Sequence, residues 1–148
     1  MWDFKSENTK TFTHGFHMYP AMMIPQIAQK LITDFGTNAN CLLDPYCGTG
    51  TSLVEANVAG IDSIGFDLNP LARLIAKVKT SVIELQSLKL HLHDFDDYLF
   101  TFRYGFQKKE TVICPEFIKI DFWFSKDVKQ KLAIINNYIA MIENKEIS

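Results

Sequence analysis

The sequence has little that would suit a metal centre, a disulfide framework or a membrane. Its 148 residues include three cysteines, Cys41, Cys47 and Cys114, without a CxxC pair or a histidine at zinc-ligand spacing. This pattern disfavours a zinc site, and we expect no metal. Unpaired thiols are typical of a reducing cytoplasm, which is the predicted compartment. No apolar stretch approaches a membrane span, and the first residues do not resemble a signal peptide.

The excess of one sign of charge is also small, with 15 Lys and Arg against 17 Asp and Glu. The net charge of −2 gives no general attraction to nucleic acid or to a membrane surface. Binding to DNA would therefore require a local basic surface or a partner. The length is that of one domain, and a hydrophobic content of 47% is enough for a core.

The most informative stretch runs from Cys41 to Asn69, and it reads as strand, glycine-rich turn, helix and strand. Gly48 and Gly50 allow a tight turn that exposes backbone N–H groups at a helix N-terminus. Asp67 follows the second predicted strand, where nucleotide-binding α/β units place the carboxylate that holds a ribose. The stretch therefore predicts a site for a ribose-bearing cofactor.

Helical patterns surround this unit. The predicted helices begin at Pro25, at Thr51 or Ser52 (either of which could be the cap), at Pro70, near Leu88 and after Ser125. Only two strands are convincing, Cys41 to Asp44 and Ser63 to Asp67, with a third possible near Val112. Trp123, between Phe122 and Phe124, is predicted to be a core residue. These elements predict an α/β fold with a partial Rossmann-like sheet, flanking helices and a helical C-terminal region, whose sheet edge lacks neighbours.

Two common ribose cofactors fit the glycine turn poorly. The third glycine of a dinucleotide fingerprint is replaced by Leu53, and the Lys of a phosphate loop is absent after Gly50. What remains is a ribose cofactor without a highly charged phosphate chain. Asp44, four residues before the first glycine, suits a cationic or ammonium-bearing ligand.

The glycine turn resembles a known motif. Residues Asp44–Thr51 read Asp-Pro-Tyr-Cys-Gly-Thr-Gly-Thr, which resembles the Asp-Pro-Phe-Cys-Gly-Ser-Gly-Thr motif of amino-group DNA methyltransferases. These enzymes modify adenine N6 or cytosine N4. Residues 64–70 resemble their second strand, and residues 13–21 resemble the loop that packs over the methionine end of the cofactor. That loop commonly reads Phe-His-Pro-Tyr-Pro-Ala-Lys-Phe, and Met18 and Met22 stand where it has Pro and Lys. The resemblance covers residues 12–80 well and the helical remainder loosely.

The resemblance implies S-adenosyl-L-methionine as cofactor, with Asp44 beside its amino group and Asp67 holding its ribose hydroxyls. In the alternative interpretation neither carboxylate binds a cofactor: Asp44 only ends a strand, and Asp67 only caps a helix. His14 and His17 are expected to hydrogen-bond the backbone of their loop rather than to catalyse or bind metal. The predicted cofactor-binding residues are His17, Tyr19, Pro20, Asp44, Pro45, Tyr46, Cys47, Gly48, Thr49, Gly50, Thr51, Asp67, Leu68 and Asn69.

The catalytic tetrapeptide of the family, a polar residue followed by Pro-Pro and an aromatic, is missing, because none of the five prolines is adjacent to another. We therefore predict no catalytic residue and no activity for this chain alone. It is interpreted as a single, incomplete methyltransferase domain with a cofactor-binding core at 12–80 and a mostly helical extension at 81–148. The resemblance implies DNA as partner, through a complementing catalytic and target-recognition chain, and a cognate restriction endonuclease in the same system. A truncated inactive fragment and a non-catalytic nucleotide-binding module are the alternatives.

Overall fold

The computed structural model describes residues 2–36, 38–106 and 112–142, which form a mixed α/β structure. It divides into two compact units, Met1–Ser81 (the N-terminal unit) and Val82–Ser148 (the C-terminal unit). The predicted mixed α/β class is thereby confirmed. None of the helices in these residue ranges is both long enough and apolar enough to cross a bilayer.

The N-terminal unit contains a small parallel sheet between helices. Its elements are α1 (Pro25–Phe35), β1 (Cys41–Asp44), α2 (Thr51–Val58), β2 (Asp62–Gly65) and α3 (Pro70–Thr80). The strands β1 and β2 pair in parallel, from Cys41 opposite Asp62 to Asp44 opposite Gly65. Parallel neighbours need a crossover connection, and α2 supplies it.

Helix boundaries in this unit follow their local chemistry. Pro25 and Pro70 occupy first-turn positions, where the missing N–H would have no helical partner. Asn69 caps α3, because its side-chain oxygen accepts from the Leu71 N–H at 3.0 Å. Gly36 ends α1 and donates its N–H to the Ile32 carbonyl at 2.7 Å. The predicted helix starts at Pro25 and Pro70 are confirmed.

The start of α2 differs from the prediction. Its N-cap is Gly50, which has a left-handed φ of 79° and no side-chain cap bond. Thr51 and Ser52 lie inside the helix and are buried. The prediction that one of them caps α2 was therefore wrong, because the left-handed turn places the cap one residue earlier. The second strand also ends at Gly65, two residues before Asp67.

The core of the N-terminal unit is formed where α2 crosses the sheet. Cys47, Leu53 and Ala76 are buried together, with Leu42 packed against them. Gly65 is required at this crossing, because a Cβ there would lie 2.7 Å from Leu53 Cδ1 and 2.8 Å from Cys47 Sγ. The absence of a side chain thus lets α2 approach β2 closely.

Part of the sheet surface is uncovered. Leu43 and Ile64 are paired in register and are 64% and 51% exposed, and Phe66 is 59% exposed. Within the described residues the sheet has only these two strands. A parallel sheet is normally covered on both faces, so in the described part of the chain this arrangement leaves apolar surface without a partner.

The C-terminal unit is helical, with α4 (Leu85–Arg103), α5 (Ile120–Trp123) and α6 (Lys126–Met141). Helices α4 and α6 meet through an aromatic cluster, and the Tyr138 hydroxyl donates to the His91 carbonyl at 2.9 Å. Ser125 caps α6 as predicted, by accepting from the Val128 N–H at 3.4 Å.

Two other predictions for this region fail. Residues 112–142 contain no strand in the structure, so the possible strand near Val112 is absent there. The core assignment of Trp123 was wrong, because its side chain is 67% exposed.

Candidate functional site

The loop between β1 and α2 contains two left-handed glycines that serve different purposes. Gly48 has a φ of 52°, and a Cβ there would meet no atom within 4 Å. Gly50 has a φ of 79°, and its Cβ would lie 2.9 Å from the Ala76 Cβ. Gly50 therefore permits close packing of α3, whereas Gly48 leaves open space beside the loop.

Asp44 at the end of β1 is held by three hydrogen bonds. Its Oδ1 accepts from the Tyr46 N–H at 3.0 Å, and its Oδ2 accepts from the Ser52 hydroxyl. Its backbone carbonyl accepts from the Phe66 N–H at 2.9 Å. The first two bonds fix the carboxylate at the mouth of the glycine loop, and the third fixes the backbone of Asp44.

Asp67 connects the end of the second strand to the loop. Its Oδ2 accepts from the Gly48 N–H at 3.0 Å, and its Oδ1 accepts from the Asn69 N–H at 2.8 Å. The Asn69 side-chain amide in turn donates to the Tyr19 hydroxyl at 2.6 Å. Three segments distant in sequence therefore meet through one carboxylate and one amide.

A cavity of about 270 Å³ opens beside this network. Eight of the predicted cofactor-binding residues line it, namely Tyr19, Pro20, Asp44, Tyr46, Cys47, Gly48, Thr49 and Thr51. Ala21, Met22, Met23 and Ser52 also line it and were missed by the sequence reasoning. Ala21 has a left-handed φ of 57°, which is uncommon outside glycine and is often found at binding sites. No sequence signal marks that backbone conformation.

The other predicted residues lie around the cavity or away from it. Asp67 and Asn69 reach it through the bonds to Gly48 and Tyr19, and Pro45 and Gly50 belong to the loop. Leu68 is fully exposed, and His17 is exposed and is not among the lining residues. The structure therefore brings most of the set together but leaves His17 and Leu68 outside.

The electrostatic character of the cavity is acidic. Its described lining includes the Asp44 carboxylate and contains neither Lys nor Arg. Burial raises the pKa of the Cys47 thiol, and the nearby carboxylates of Asp44 and Asp67 raise it further. A raised pKa keeps Cys47 in its neutral thiol form, which is a poor nucleophile.

His14 forms a buried pair with Glu55. The distance from His14 Nε2 to Glu55 Oε1 is 2.7 Å, and the two residues are 4% exposed each. The expectation that His14 bonds the loop backbone was wrong, because its partner is a carboxylate on α2. Glu55, a charged residue between the apolar Val54 and Ala56 of α2, was the available signal for this pairing.

Comparison with known proteins gives three informative matches. The chain is 38% identical over 141 residues to the type II methyltransferase M.MvaI of Kocuria varians, covering 92% of this chain and 31% of that protein. It is 37% identical over 94 residues to the type II methyltransferase M.MjaII of Methanocaldococcus jannaschii, covering 63% and 18% respectively. A match of 52 residues, 38% identical, is found with the tRNA (guanine(10)-N2)-dimethyltransferase of Methanothermobacter thermautotrophicus, covering 34% and 16%.

The match to M.MvaI covers most of this chain but less than a third of that protein. No family model and no solved structure matches the chain. The chain spans less than a third of the length of the type II methyltransferases that it matches, at 31% and 18%. It is therefore homologous to one part of these type II methyltransferases.

Proposed function

We propose that this chain is the S-adenosyl-L-methionine-binding part of an amino-group DNA methyltransferase with a Rossmann-like fold. In this proposal the cavity beside the glycine loop binds the cofactor. Asp44 lies near its amino group, and Asp67 lies near its ribose. When bound, the cofactor would supply an electrophilic methyl group, and this chain would bind and orient it.

The charge of the cavity is the observation that carries the proposal. A nucleoside triphosphate or a dinucleotide brings phosphate groups, which proteins neutralise with Lys, Arg or free N–H groups. Here a carboxylate lines the cavity, and no cationic side chain of the described lining opposes it. S-adenosyl-L-methionine carries a sulfonium and an ammonium group, so an acidic cavity attracts its charged end.

The names of the relatives support the same conclusion. The type II methyltransferases and the tRNA dimethyltransferase modify different polymers, yet both match this chain. What such enzymes have in common is the methyl donor, and the tRNA enzyme acts by its name on the amino group N2 of guanine. A segment that both kinds of enzyme contain is more readily explained by the donor than by the polymer.

Methyl transfer would require additional polypeptide. The chain lacks adjacent prolines and therefore the family's catalytic tetrapeptide, which holds the flipped base. The exposed Leu43, Ile64 and Phe66 provide a sheet surface on which further strands or helices could pack. The cavity of about 270 Å³ also lies just below the range of roughly 300–1,000 Å³ typical of complete ligand sites.

Calorimetry tests the binding part of this proposal. We expect the full chain to bind S-adenosyl-L-methionine and not ATP or NAD. Asp67→Ala should weaken binding by tenfold or more, because it removes a charged hydrogen-bond acceptor. Asp62→Ala is the matched control, since Asp62 is an exposed carboxylate at the other end of β2. Equal binding by both variants, or preferential binding of ATP, would contradict the cofactor assignment.

A methyl-transfer assay tests the requirement for a complementing chain. We expect tritium transfer from labelled cofactor to DNA only after mixing with a polypeptide that carries a Pro-Pro-aromatic tetrapeptide. Activity of the chain alone would refute the incomplete-site interpretation. Cofactor binding without activity in any mixture with the catalytic parts of the relatives would favour an inactive fragment or a binding module.

A further inference from the structure

A second cavity in the N-terminal unit adjoins the first. Its volume is about 130 Å³, and it shares Met22, Met23 and Thr51 with the larger cavity. Its walls are mainly apolar, but two titratable side chains reach it. The lining residues are Thr9, His14, Met22, Met23, Ile24, Pro25, Thr51 and Lys79.

Lys79 is an unusual residue for such a place. It is 4% exposed, and its Nζ has no hydrogen-bond partner among the described residues. Buried lysines are rare unless paired, because removing an ammonium group from water is costly. Burial accordingly lowers the pKa of Lys79.

The surrounding bonds hold Lys79 at this position. The Thr13 hydroxyl donates to the Lys79 carbonyl at 3.0 Å, which fastens the His14 loop to the end of α3. The Asn57 side chain donates to the Thr80 carbonyl at 3.3 Å, which fastens α2 to the same end. Lys79 is therefore fixed to the elements that build the cavity.

His14 contributes a second polar atom. Its Nε2 is occupied by Glu55, whereas its Nδ1 is buried and has no partner in the described part of the chain. Two unsatisfied polar nitrogens on one small cavity are a costly arrangement for a fold to retain. A ligand with a negatively charged oxygen would satisfy the Lys79 ammonium.

We propose that this cavity is a carboxylate site, in which the Lys79 ammonium donates to a bound carboxylate. A single ammonium complements a single negative charge, whereas a phosphate carries more charge than Lys79 alone would neutralise. The apolar walls also exclude water, which strengthens a charge pair.

Two sources could supply the carboxylate. The first is the amino-acid end of S-adenosyl-L-methionine, which would extend from the Asp44 cavity past Thr51, and this source rests on the proposed function. The second is a small free carboxylate such as formate. Only the first source requires a cofactor bound in the larger cavity, so experiments with and without the cofactor can separate the two.

Calorimetry of the full chain with S-adenosyl-L-methionine and with its decarboxylated analogue addresses the first source. Lys79→Met should weaken binding of the intact cofactor by about tenfold to a hundredfold and leave binding of the analogue unchanged. Lys77→Met is the matched control, because Lys77 is an exposed lysine on the same helix, and it should change neither affinity. The wild-type chain should also bind the intact cofactor more tightly than the decarboxylated analogue. This comparison does not require any variant to fold.

Formate addresses the second source. The side-chain ¹³Cε resonance of Lys79, identified by its loss in Lys79→Met, should shift on formate titration if the site takes free carboxylates. A shift without cofactor binding would support the carboxylate site and refute the proposed function. Equal binding of cofactor and analogue with no formate shift would overturn the carboxylate site while leaving the proposed function intact. Failure of all three ligands would overturn both and leave water as the only occupant.

Discussion

The glycines at positions 48, 50 and 65 allow backbone strain and steric crowding to be separated. Gly48 has a left-handed φ and open space, Gly65 has crowding without a left-handed φ, and Gly50 has both. Alanine at position 48 therefore tests backbone strain alone, and alanine at position 65 tests steric crowding alone. Alanine at position 50 combines the two costs. We predict that Gly50→Ala destabilises the N-terminal unit more than either of the other two substitutions.

The magnitudes follow from the contacts. A left-handed conformation costs an alanine about 1–2 kcal/mol, partly offset by the reduced entropy of the unfolded chain. Crowding of the Gly65 Cβ against Leu53 and Cys47 at 2.7–2.9 Å should cost about 1–3 kcal/mol. Gly50→Ala combines strain with a 2.9 Å contact to Ala76, so we expect about 2–4 kcal/mol.

The glycine substitutions should rank differently in their effect on cofactor affinity than in their effect on stability. Gly48 lines the larger cavity, and a methyl group there would enter open space that no protein atom fills. Gly48→Ala should therefore cost about 1 kcal/mol of stability yet reduce S-adenosyl-L-methionine affinity most, since a Cβ blocks close approach of a ligand to the loop. Gly65 does not line that cavity, so Gly65→Ala should affect folding more than binding.

Native-state hydrogen exchange provides the assay, because it reports the opening free energy of each unit separately. Protection of amides in α2 and β2 would be compared among the three variants, and calorimetry would give their affinities. If Gly50→Ala costs no more than Gly48→Ala, the close contact between the loop and α3 is not a packing constraint. If Gly48→Ala binds as the wild type does, the ligand does not approach this loop.

Three further predictions concern titratable groups. His14→Ala should destabilise the N-terminal unit by about 3–5 kcal/mol, because it leaves the buried Glu55 carboxylate unpaired, whereas His17→Ala should have an effect within about 0.5 kcal/mol. Cys47 should react with iodoacetamide at neutral pH far more slowly than the two exposed cysteines, since burial and then two carboxylates raise its pKa. The pKa of Lys79 is lowered in the fold, so the unfolded chain binds more protons between that value and 10.5, and stability should rise with pH across this window. Lys79→Met should abolish that rise.

Each of these expectations has a clear contrary result. Equal stability loss at positions 14 and 17 would show that the buried pair contributes little. Rapid alkylation of Cys47 in the folded chain would show that the glycine loop opens to solvent. Stability that falls over the same pH range, or the same pH response in Lys79→Met, would show that the buried ammonium is not penalised.

The backbone of the N-terminal unit was predictable because its signals are local. Proline at a first helical turn, glycine after a helix and an apolar run before a glycine loop each act within a few residues. Pro25, Pro70 and the strand Cys41–Asp44 therefore lie where the pattern predicts them. The cap of α2 was missed because the left-handed turn at Gly50 starts the helix one residue earlier, which leaves Thr51 and Ser52 inside it.

The remaining features depend on contacts between distant residues, which a single sequence does not display. The pairs His14 with Glu55 and Tyr19 with Asn69 join residues 41 and 50 positions apart. Nothing in the sequence distinguishes Lys79 from the exposed Lys77 two residues earlier, although Lys79 is buried. The apolar side chain of Trp123 predicts a core position. Its exposure is set by how distant segments pack around it, which the local sequence does not show.

The two hydrogen bonds to the Asp44 carboxylate have an entropic consequence. A flexible carboxylate loses rotamer freedom when it closes on a ligand, and that loss weakens binding. The Tyr46 N–H and the Ser52 hydroxyl have already restricted this side chain during folding. A cationic ligand would therefore meet a negative charge whose orientation is set beforehand, so the rate of association should depend on diffusion and ionic strength rather than on rearrangement of the loop.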